Sequence, residues 1–199
     1  LSASVQCALE FSARNMSRPG EASNLPWREI NFEDNTVEIP PERMKMKDGH
    51  YIPISTQSVS ILNEMKRFSR GLEHVFINDK LDGPIHRDSL NKALKRANVD
   101  STAHGLRSTA STFLNETMLF DSDVIEVCLA HKDKNKIRAV YNKALYLEER
   151  KKALQFWSDI IDECIDEESN LAVLKRYSIK TTTKVINVDI DEMSDTELN

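Results

Sequence analysis

The stretch His104-Gly105-Leu106-Arg107 opens the segment around which the rest of this 199-residue chain is organised. His104 and Arg107 are three positions apart, a spacing that places two side chains on one face of a helix, one turn apart. Apolar residues recur nearby at the i, i+4, i+7 and i+8 spacing of a buried stripe, at Leu106, Ala110, Phe113 and Leu114. The pattern predicts a helix ending near Met118, with the apolar stripe and the His/Arg pair pointing in different directions.

The start of this helix is predicted to suit an anion. Either Ser101 or Thr102 can cap it, so His104 and Arg107 lie in its first turns. There the partial positive charge of the helix terminus favours negative groups. Arg107 can hold a phosphate with two parallel hydrogen bonds, and His104 can bond the phosphate or transfer a proton. Taken alone, the pair is better explained as a surface His and a surface Arg on an ordinary amphipathic helix than as a phosphate site.

Length and cysteine content indicate one domain in a reducing compartment. A chain of 199 residues can bury a substantial core and still carry a tail. Its three cysteines are an odd number at wide spacing, which is typical of neither a disulfide framework nor a metal site. We expect no signal segment and no membrane-spanning helix, because no basic-then-apolar start and no apolar run of sufficient length occurs. The first residue, Leu1, leads us to expect a fragment of a longer protein.

The acidic charge of the chain is concentrated near its C-terminus. The formal net charge is −5. Residues 159–199 hold 11 acidic and 4 basic residues, which leaves 21 acidic and 23 basic residues before them. That preceding part includes a dense basic group at Lys132, Lys134, Lys136, Arg138 and Lys143. Such a group is usually a solvated face, but it also suits contact with a phosphate backbone.

Apolar periodicity predicts that the chain is mainly helical. Ser17 is the expected cap of a short helix that reaches about Leu25, with Arg18 at its entry and Glu21 in its first turns. Asp121 or Ser122 is expected to begin a helix whose apolar stripe ends at His131. Further helices are predicted at 3–13, 56–69, 87–97 and 145–164.

A small antiparallel sheet is predicted between the first helices. Two short strands are expected at 27–32 and 36–39. A hairpin around the turn signal Asp48-Gly49 is expected to follow them. Strict alternation ahead of this turn would place three basic side chains on one face, those of Arg43, Lys45 and Lys47. Taken alone, this basic ridge is better explained as a solvated sheet edge whose lysines discourage strand addition than as a functional surface.

Together these motifs resemble the catalytic domain of the tyrosine recombinase (phage integrase) family, and more narrowly the prophage and genomic-island integrases of the satellite-phage type. The resemblance covers roughly residues 1–160. His131 and Tyr141 are ten positions apart, one more than in many members. The motifs follow the family's order: Ser17-Arg18-Pro19-Gly20-Glu21, Arg43-Met44-Lys45-Met46-Lys47 ahead of Ile52-Pro53, His104-Gly105-Leu106-Arg107, Leu129-Ala130-His131-Lys132 and Ile137-Arg138-Ala139-Val140-Tyr141.

The resemblance implies a nucleophile and a phosphate-binding pair. Tyr141 would attack the scissile phosphate and form a 3′-phosphotyrosine. A tyrosine hydroxyl has a pKa of about 10, so it needs assistance at neutral pH. Arg18 and Arg107 would neutralise the phosphate oxygens and the charge that develops on them, with Glu21 supporting Arg18. No cofactor and no metal is expected, because the two arginines supply the positive charge.

The remaining motif residues are expected to handle protons and DNA contacts. His104 would accept the tyrosine proton or bond a phosphate oxygen, His131 would hydrogen-bond the phosphate, and Lys45 would protonate the leaving 5′ oxygen. Lys47 shares the predicted face of Lys45, so the choice between them depends on strand register. The residues expected to contact the DNA backbone are Lys47, Lys132, Lys134, Lys136 and Arg138.

The resemblance also implies a domain organisation and partners. Residues 1–168 would form the catalytic domain, mainly α with a small three-stranded antiparallel β-sheet. Residues 169–199 would form a C-terminal extension with a disordered acidic end, and the family's N-terminal DNA-binding domains would be absent from this fragment. The expected partners are double-stranded DNA at attachment sites, further copies in a tetramer, excisionase and host DNA-bending proteins. The expected location is the cytoplasm, at the bacterial nucleoid, away from membranes.

Three other functions fit parts of the pattern. A DNA-binding remnant without catalysis would keep the fold, but the presence of all six catalytic residue types counts against it. A type IB topoisomerase uses nearly the same residues and relaxes DNA within one duplex; the Leu-Ala-His-Lys and Tyr-Leu-Glu-Glu-Arg contexts favour the integrase. A helical interaction module without a DNA role would require six independent coincidences in order. Trapping of a covalent adduct on nicked DNA would discriminate among them.

Overall fold

Helix α1 (Ala3–Arg14) is the element against which most other elements pack. The computed structural model describes residues 2–44, 49–69, 71–131 and 146–165. Within these ranges α1 contacts α2 (Pro19–Ser23), α3 (Thr56–Ser69), α4 (Asp88–Arg96), α5 (Ala103–Thr117) and α7 (Leu147–Ile165). The remaining helix, α6 (Ser122–Cys128), packs between α5 and α7. The N-terminal and C-terminal halves of the described chain therefore share one core.

A three-stranded antiparallel sheet lies beside these helices. Its strands are β1 (Ile30–Asn31), β2 (Thr36–Ile39) and β3 (His50–Pro53), in that spatial order. The register pairs Val37 with Ile52 and Ile39 with His50. Helix α7 packs on β3. The predicted fold class, mainly α with a small three-stranded antiparallel sheet, is confirmed.

The core combines one face of the sheet with the apolar stripes of the helices. Val37, Ile39 and Ile52 are buried because alternate strand residues face the helices. Phe76 is completely buried, and its ring centroid lies 5.7 Å from that of Phe11. Complete burial of one such side chain contributes about 2–3 kcal/mol to folding. Other fully buried apolar side chains include Leu62, Met65, Leu90, Leu114, Ile125 and Leu154.

Helix positions agree with the sequence predictions, and the strand pattern agrees less well. Helix α3 has the predicted bounds, α1 ends one residue later than predicted, and α4 is one residue shorter than predicted at each end. The N-cap of α2 is Arg18, so the prediction of Ser17 as the cap was wrong. Residues Trp27–Glu29 form a 3₁₀ turn, because only two residues of the predicted first strand find a partner in β2.

Of the predicted 43–47 strand, Arg43 and Met44 lie within the described residues and belong to no strand, whereas β3 pairs with β2. Arg43 ends a 3₁₀ turn, Pro41–Arg43, and forms an ion pair with the buried carboxylate of Glu29. It therefore does not belong to an exposed basic ridge. Lys45 and Lys47 lie outside the described residues, as do Tyr141, the basic group from Lys132 to Arg138, and the 169–199 extension. None of the helices within the described ranges is long and apolar enough to cross a membrane.

A buried arginine ties the first and last described helices together. Arg14, at the end of α1, donates from Nη1 to the Ser158 carbonyl over 2.9 Å and from Nη2 to Asp162 over 2.6 Å, both on α7. Its Nε donates to Glu10 one turn earlier on α1 over 2.9 Å. Because the guanidinium is almost fully buried, these bonds are protected from competition with water.

Replacing this arginine should destabilise the fold. Arg14→Met keeps the apolar stem and removes the bonds to the Ser158 carbonyl and to Asp162, so we expect a loss of about 2 kcal/mol in the free energy of unfolding. Arg28→Met is the matched control, since Arg28 forms an exposed ion pair with Glu73 and should lose less than about 0.5 kcal/mol. Urea titrations followed by circular dichroism measure both values. Equal losses would contradict the role assigned to Arg14.

Candidate active site

The N-terminus of α5 is capped by Thr102. The Thr102 Oγ1 accepts a hydrogen bond from the Gly105 backbone N–H over 2.9 Å. Of the two predicted caps, Thr102 is therefore the one used. A Cβ at position 105 would lie 2.9 Å from Ser101 Oγ and 3.2 Å from Thr102 Oγ1. Because Gly105 has no Cβ, the Thr102 side chain can reach its backbone N–H without a steric clash.

Arg107 lies in the buried stripe of α5, and this corrects the prediction that the His/Arg pair points away from that stripe. Only 3% of Arg107 is exposed, whereas His104 is exposed to solvent. Burial is tolerated because Arg107 Nη2 donates to the Leu129 carbonyl over 2.8 Å. Arg107 is thus held inward while His104, one turn earlier, faces outward. The residues buried with it are Ala103, Ala110, Leu114 and Thr117.

Arg18 reaches the same region from the start of α2. Glu21 accepts hydrogen bonds from the Arg18 backbone N–H over 2.9 Å and from Arg18 Nη1 over 2.7 Å. Arg18 Nη2 donates to the Ala130 carbonyl over 3.3 Å. The Arg18 side chain is 27% exposed and that of Glu21 8%. The predicted pairing of Arg18 and Glu21 is therefore present, and it leaves part of the guanidinium accessible.

The C-terminal end of α6 receives both arginines. The carbonyls of Leu129 and Ala130 are consecutive, and they accept from Arg107 and Arg18 respectively. Ala130 adopts a left-handed backbone conformation with φ of 50°, which ends the helical turn. Helix C-termini carry partial negative charge and unsatisfied carbonyls, so guanidinium groups are favoured there. The structure thereby brings Arg18 and Arg107 together beside His131.

His131 follows directly after these carbonyls and is half exposed. Its Nδ1 lies 2.8 Å from Glu126 Oε2, and its backbone N–H donates to the Glu126 carbonyl over 3.1 Å. Because Glu126 engages Nδ1, the Nε2 atom is the ring nitrogen left to bond a ligand. Glu126 is a contributor to the site that apolar periodicity did not predict.

The electrostatics of the arginine pair favour an anion. Burial, together with the neighbouring Arg18 cation, lowers the pKa of Arg107 to about 10, and Glu21 acts in the opposite direction. Arg107 therefore remains protonated at neutral pH. A bound phosphate would relieve the repulsion between the two cations and replace part of the lost hydration.

His50 is a further residue of this region that sequence reasoning missed. It is 7% exposed, and burial lowers its pKa to about 3, assisted by the positive charges of Arg150, Arg18 and Arg107. A hydrogen bond to the Cys128 backbone acts in the opposite direction. The only sequence signal was its position directly after the turn dipeptide Asp48-Gly49.

Of the predicted site residues, Arg18, Glu21, His104, Arg107 and His131 lie within the described residues, and contacts with the end of α6 join Arg18 and Arg107. The predicted nucleophile Tyr141, the predicted acid Lys45 and the predicted backbone contacts Lys47, Lys132, Lys134, Lys136 and Arg138 lie outside the described residues. Within those residues, no group of His, Cys, Asp and Glu is arranged to hold a metal ion.

The chain is similar in sequence to known integrases. A family model described as "Phage integrase family" matches residues 1–148. Prophage integrase IntA of Escherichia coli K12 is 42% identical over 164 residues, covering 81% of this chain and 40% of IntA. Prophage integrase IntZ of the same strain is 36% identical over 171 residues, covering 85% of this chain and 42% of IntZ. The chain spans about two fifths of the length of these relatives.

A solved structure has the same fold. The integrase from mycobacterium phage Brujita superposes with a TM-score of 0.62 at 19% sequence identity, covering 78% of this chain and 52% of that chain. At this level of identity the likeness concerns the fold alone.

Loss of the α5 cap should lower stability. Thr102→Ala removes the acceptor of the Gly105 N–H, so we expect the free energy of unfolding to fall by about 1 kcal/mol. Ser101→Ala is the matched control, because Ser101 accepts no backbone N–H of the helix, and it should change stability by less than about 0.3 kcal/mol. Denaturant titration distinguishes them. A larger loss of stability for Ser101→Ala than for Thr102→Ala would show that Ser101, and not Thr102, caps the helix.

Burial of neutral His50 should make the fold sensitive to acid. The folded state holds the pKa of this residue at about 3, whereas the unfolded chain has an ordinary histidine near 6.5. Below pH 6.5 the unfolded state therefore binds the additional proton, and stability is lost as pH falls. The free energy of unfolding should drop by about 2 kcal/mol more between pH 7 and pH 5 in the wild type than in His50→Gln. An equal drop in both proteins would contradict this burial.

Proposed function

The chain belongs to the phage integrase family, and from that membership we propose that it forms the catalytic centre of a site-specific DNA recombinase. The observation that carries the proposal is the convergence of Arg18 and Arg107 on the adjacent carbonyls of Ala130 and Leu129, beside His131. Two fixed guanidinium groups next to an accessible imidazole suit a phosphodiester. We take the scissile phosphate of DNA as their ligand.

The two arginines would stabilise charge on the reacting phosphate. Each can donate to a non-bridging oxygen, and the partly exposed Arg18 is the first that DNA would meet. Negative charge grows on these oxygens as the nucleophile approaches, so donors already in place contribute more in the transition state than in the ground state. Removing one such donor typically costs about 3 kcal/mol of transition-state stabilisation. Glu21 would keep Arg18 oriented through its two hydrogen bonds.

The histidines would manage hydrogen bonds and protons. His104 is exposed one turn before Arg107 and would accept the tyrosine proton or bond a phosphate oxygen. His131, protonated on both ring nitrogens, would donate from Nε2 to the phosphate and from Nδ1 to Glu126. In this arrangement a proton can be removed without a metal ion.

The bond chemistry would pass through tyrosine. The Tyr141 oxygen attacks phosphorus, the bond to the 5′ oxygen breaks, and Lys45 supplies the proton that the leaving oxygen takes. The product is a 3′-phosphotyrosine and a free 5′-hydroxyl. Because the phosphoester bond is conserved, a 5′-hydroxyl from another strand can reverse the step without ATP.

DNA binding would depend on positive charge outside the arginine pair. Lys47, Lys132, Lys134, Lys136 and Arg138 would contact backbone phosphates, and their loss would reduce the salt dependence of binding. The acids concentrated in 159–199 would be repelled by DNA. We therefore propose that 169–199 is an extension outside the catalytic domain of 1–168 and avoids the DNA-facing surface.

The biological role follows from the relatives that are described as prophage integrases. We propose that the protein integrates or excises a prophage or genomic island at attachment sites in double-stranded DNA. It would act as a tetramer in the bacterial cytoplasm, at the nucleoid, with excisionase and host DNA-bending proteins as accessory partners.

Substitution of the nucleophile tests the proposal. In the intact protein, Tyr141→Phe should abolish covalent adducts on a nicked suicide DNA substrate and leave DNA binding within about twofold, because only the attacking oxygen is lost. Tyr146→Phe is the matched control and should form adducts at the wild-type rate. Adducts from Tyr141→Phe but not from Tyr146→Phe would reject the assignment.

The same assay separates the alternatives. A wild-type protein that binds DNA and forms no adduct would be a catalytically silent remnant. A protein that forms adducts and relaxes supercoils without transferring strands between duplexes would be a type IB topoisomerase.

A further inference from the structure

Arg43 and Glu29 form an ion pair near α2, and the proposed function gives this pair no role. Glu29 ends the 3₁₀ turn before β1, and Arg43 ends the 3₁₀ turn after β2. The Glu29 side chain is 5% exposed and that of Arg43 17%, so the pair is largely shielded from any DNA. Burial raises the pKa of Glu29, and the charge and hydrogen bond of Arg43 act in the opposite direction. The carboxylate thus has its counter-ion in Arg43 rather than in solvent.

The second Nη atom of Arg43 reaches the residue that orients Arg18. Arg43 Nη1 donates to Glu29, while Nη2 donates to the backbone carbonyl of Glu21 over 3.3 Å. The last four carbonyls of a helix lack intrahelical donors, and α2 is only five residues long. Arg43 supplies a donor to one of these carbonyls and so fixes the backbone of α2 at Glu21.

Glu21 therefore connects two guanidinium groups. Its carbonyl accepts from Arg43, and its carboxylate accepts from the backbone N–H of Arg18 over 2.9 Å and from Arg18 Nη1 over 2.7 Å. Arg18 Nη2 continues to the Ala130 carbonyl. A series of hydrogen bonds thus runs from the buried Glu29 carboxylate to an arginine of the candidate phosphate site. A displacement of the Glu21 backbone would move the carboxylate that holds Arg18.

A buried ion pair is a poor means of stabilising this position. Removing two charged groups from water costs about as much as their attraction returns, and apolar residues of similar size stabilise a fold equally well or better. The guanidinium supplies what an apolar side chain lacks, namely several donors fixed in one plane. Glu29 engages Nη1 of Arg43, which directs Nη2 at the Glu21 carbonyl. This geometry suits positioning better than stabilisation.

We propose that Arg43 is a positioning residue for phosphate binding: it fixes the backbone of Glu21, whose carboxylate presents Arg18 to the scissile phosphate. Glu29 anchors Arg43 for this task, and Arg43 does not touch the phosphate itself. The inference rests on the proposed function. It predicts that loss of the bond from Arg43 to Glu21 slows the reaction only where the reaction needs Arg18.

The test compares a normal phosphodiester with a methylphosphonate at the scissile position of a nicked suicide DNA, using the intact protein. A methylphosphonate is uncharged, so its cleavage needs little neutralisation by arginine. The double variant Arg43→Met/Glu29→Met replaces the ion pair with apolar side chains. It should slow adduct formation about fivefold or more on the phosphodiester and less than about twofold on the methylphosphonate. Arg18→Ala gives the reference pattern for the two substrates.

Further measurements separate positioning from folding. The double variant should unfold at a urea concentration equal to or above that of the wild type, because apolar side chains replace a buried ion pair. Arg43→Lys keeps a positive charge beside Glu29, but its single nitrogen is one bond short of the two Nη atoms, so it gives up the separate donor to Glu21. It should show the same selective slowing, and this comparison holds even where the double variant does not fold. Arg28→Lys is the matched control: its ion pair with Glu73 is exposed, and both rates should stay unchanged.

Equal slowing of both substrates would overturn the inference, because it would assign the effect of Arg43 to folding or to the leaving oxygen and not to Arg18. Wild-type rates for both Arg43 variants would overturn it as well, and either result leaves the proposed function intact. Absence of adducts from the wild-type protein on both substrates would overturn the proposed function and the inference with it.

Discussion

Two guanidinium groups donate to consecutive backbone carbonyls at the C-terminal end of α6, and the site depends on this contact. The Leu129 carbonyl holds Arg107 and the Ala130 carbonyl holds Arg18, although the arginines belong to elements far apart in sequence. Carbonyls at a helix end are acceptors without intrahelical partners, so they can hold cations without carboxylates that would compete with a phosphate. The positive charge is therefore fixed in position and still available to an anion.

The rest of the fold makes this arrangement rigid. Arg14 ties α1 to α7, and Arg150 ties α7 to β3. Glu21 is the one carboxylate bonded to the arginine pair within the described residues, and it bonds Arg18 on the side of α2. Its position orients Arg18, while Arg107 is balanced by carbonyl dipoles. Such preorganisation reduces the rearrangement that must accompany DNA binding.

Local signals in the sequence predicted the helices well, because apolar periodicity reports directly on which face is buried. Helix α3 has the predicted bounds, and the three-stranded sheet was predicted as a class. The pairing of β2 with β3 was not predicted, because strand partners distant in sequence are selected by tertiary packing and leave no local signal. Periodicity also misplaced Arg107, since it assigns a charged residue to the surface, and it gave no sign of His50. Burial of Arg107 is tolerated because the Leu129 carbonyl accepts from it, and such a long-range contact has no sequence period.

The most direct test of the account is nitrogen-15 NMR of the arginine side chains in the DNA-free protein. If the Leu129 carbonyl holds Arg107 Nη2, rotation about the Nε–Cζ bond is slow, and the two Nη nitrogens should give separate signals before any phosphate is added. Addition of DNA should then shift these signals without first separating them. A single averaged Nη signal for Arg107 in the free protein, resembling that of an exposed arginine, would contradict the claim that the carbonyls at the end of α6 preorganise the site.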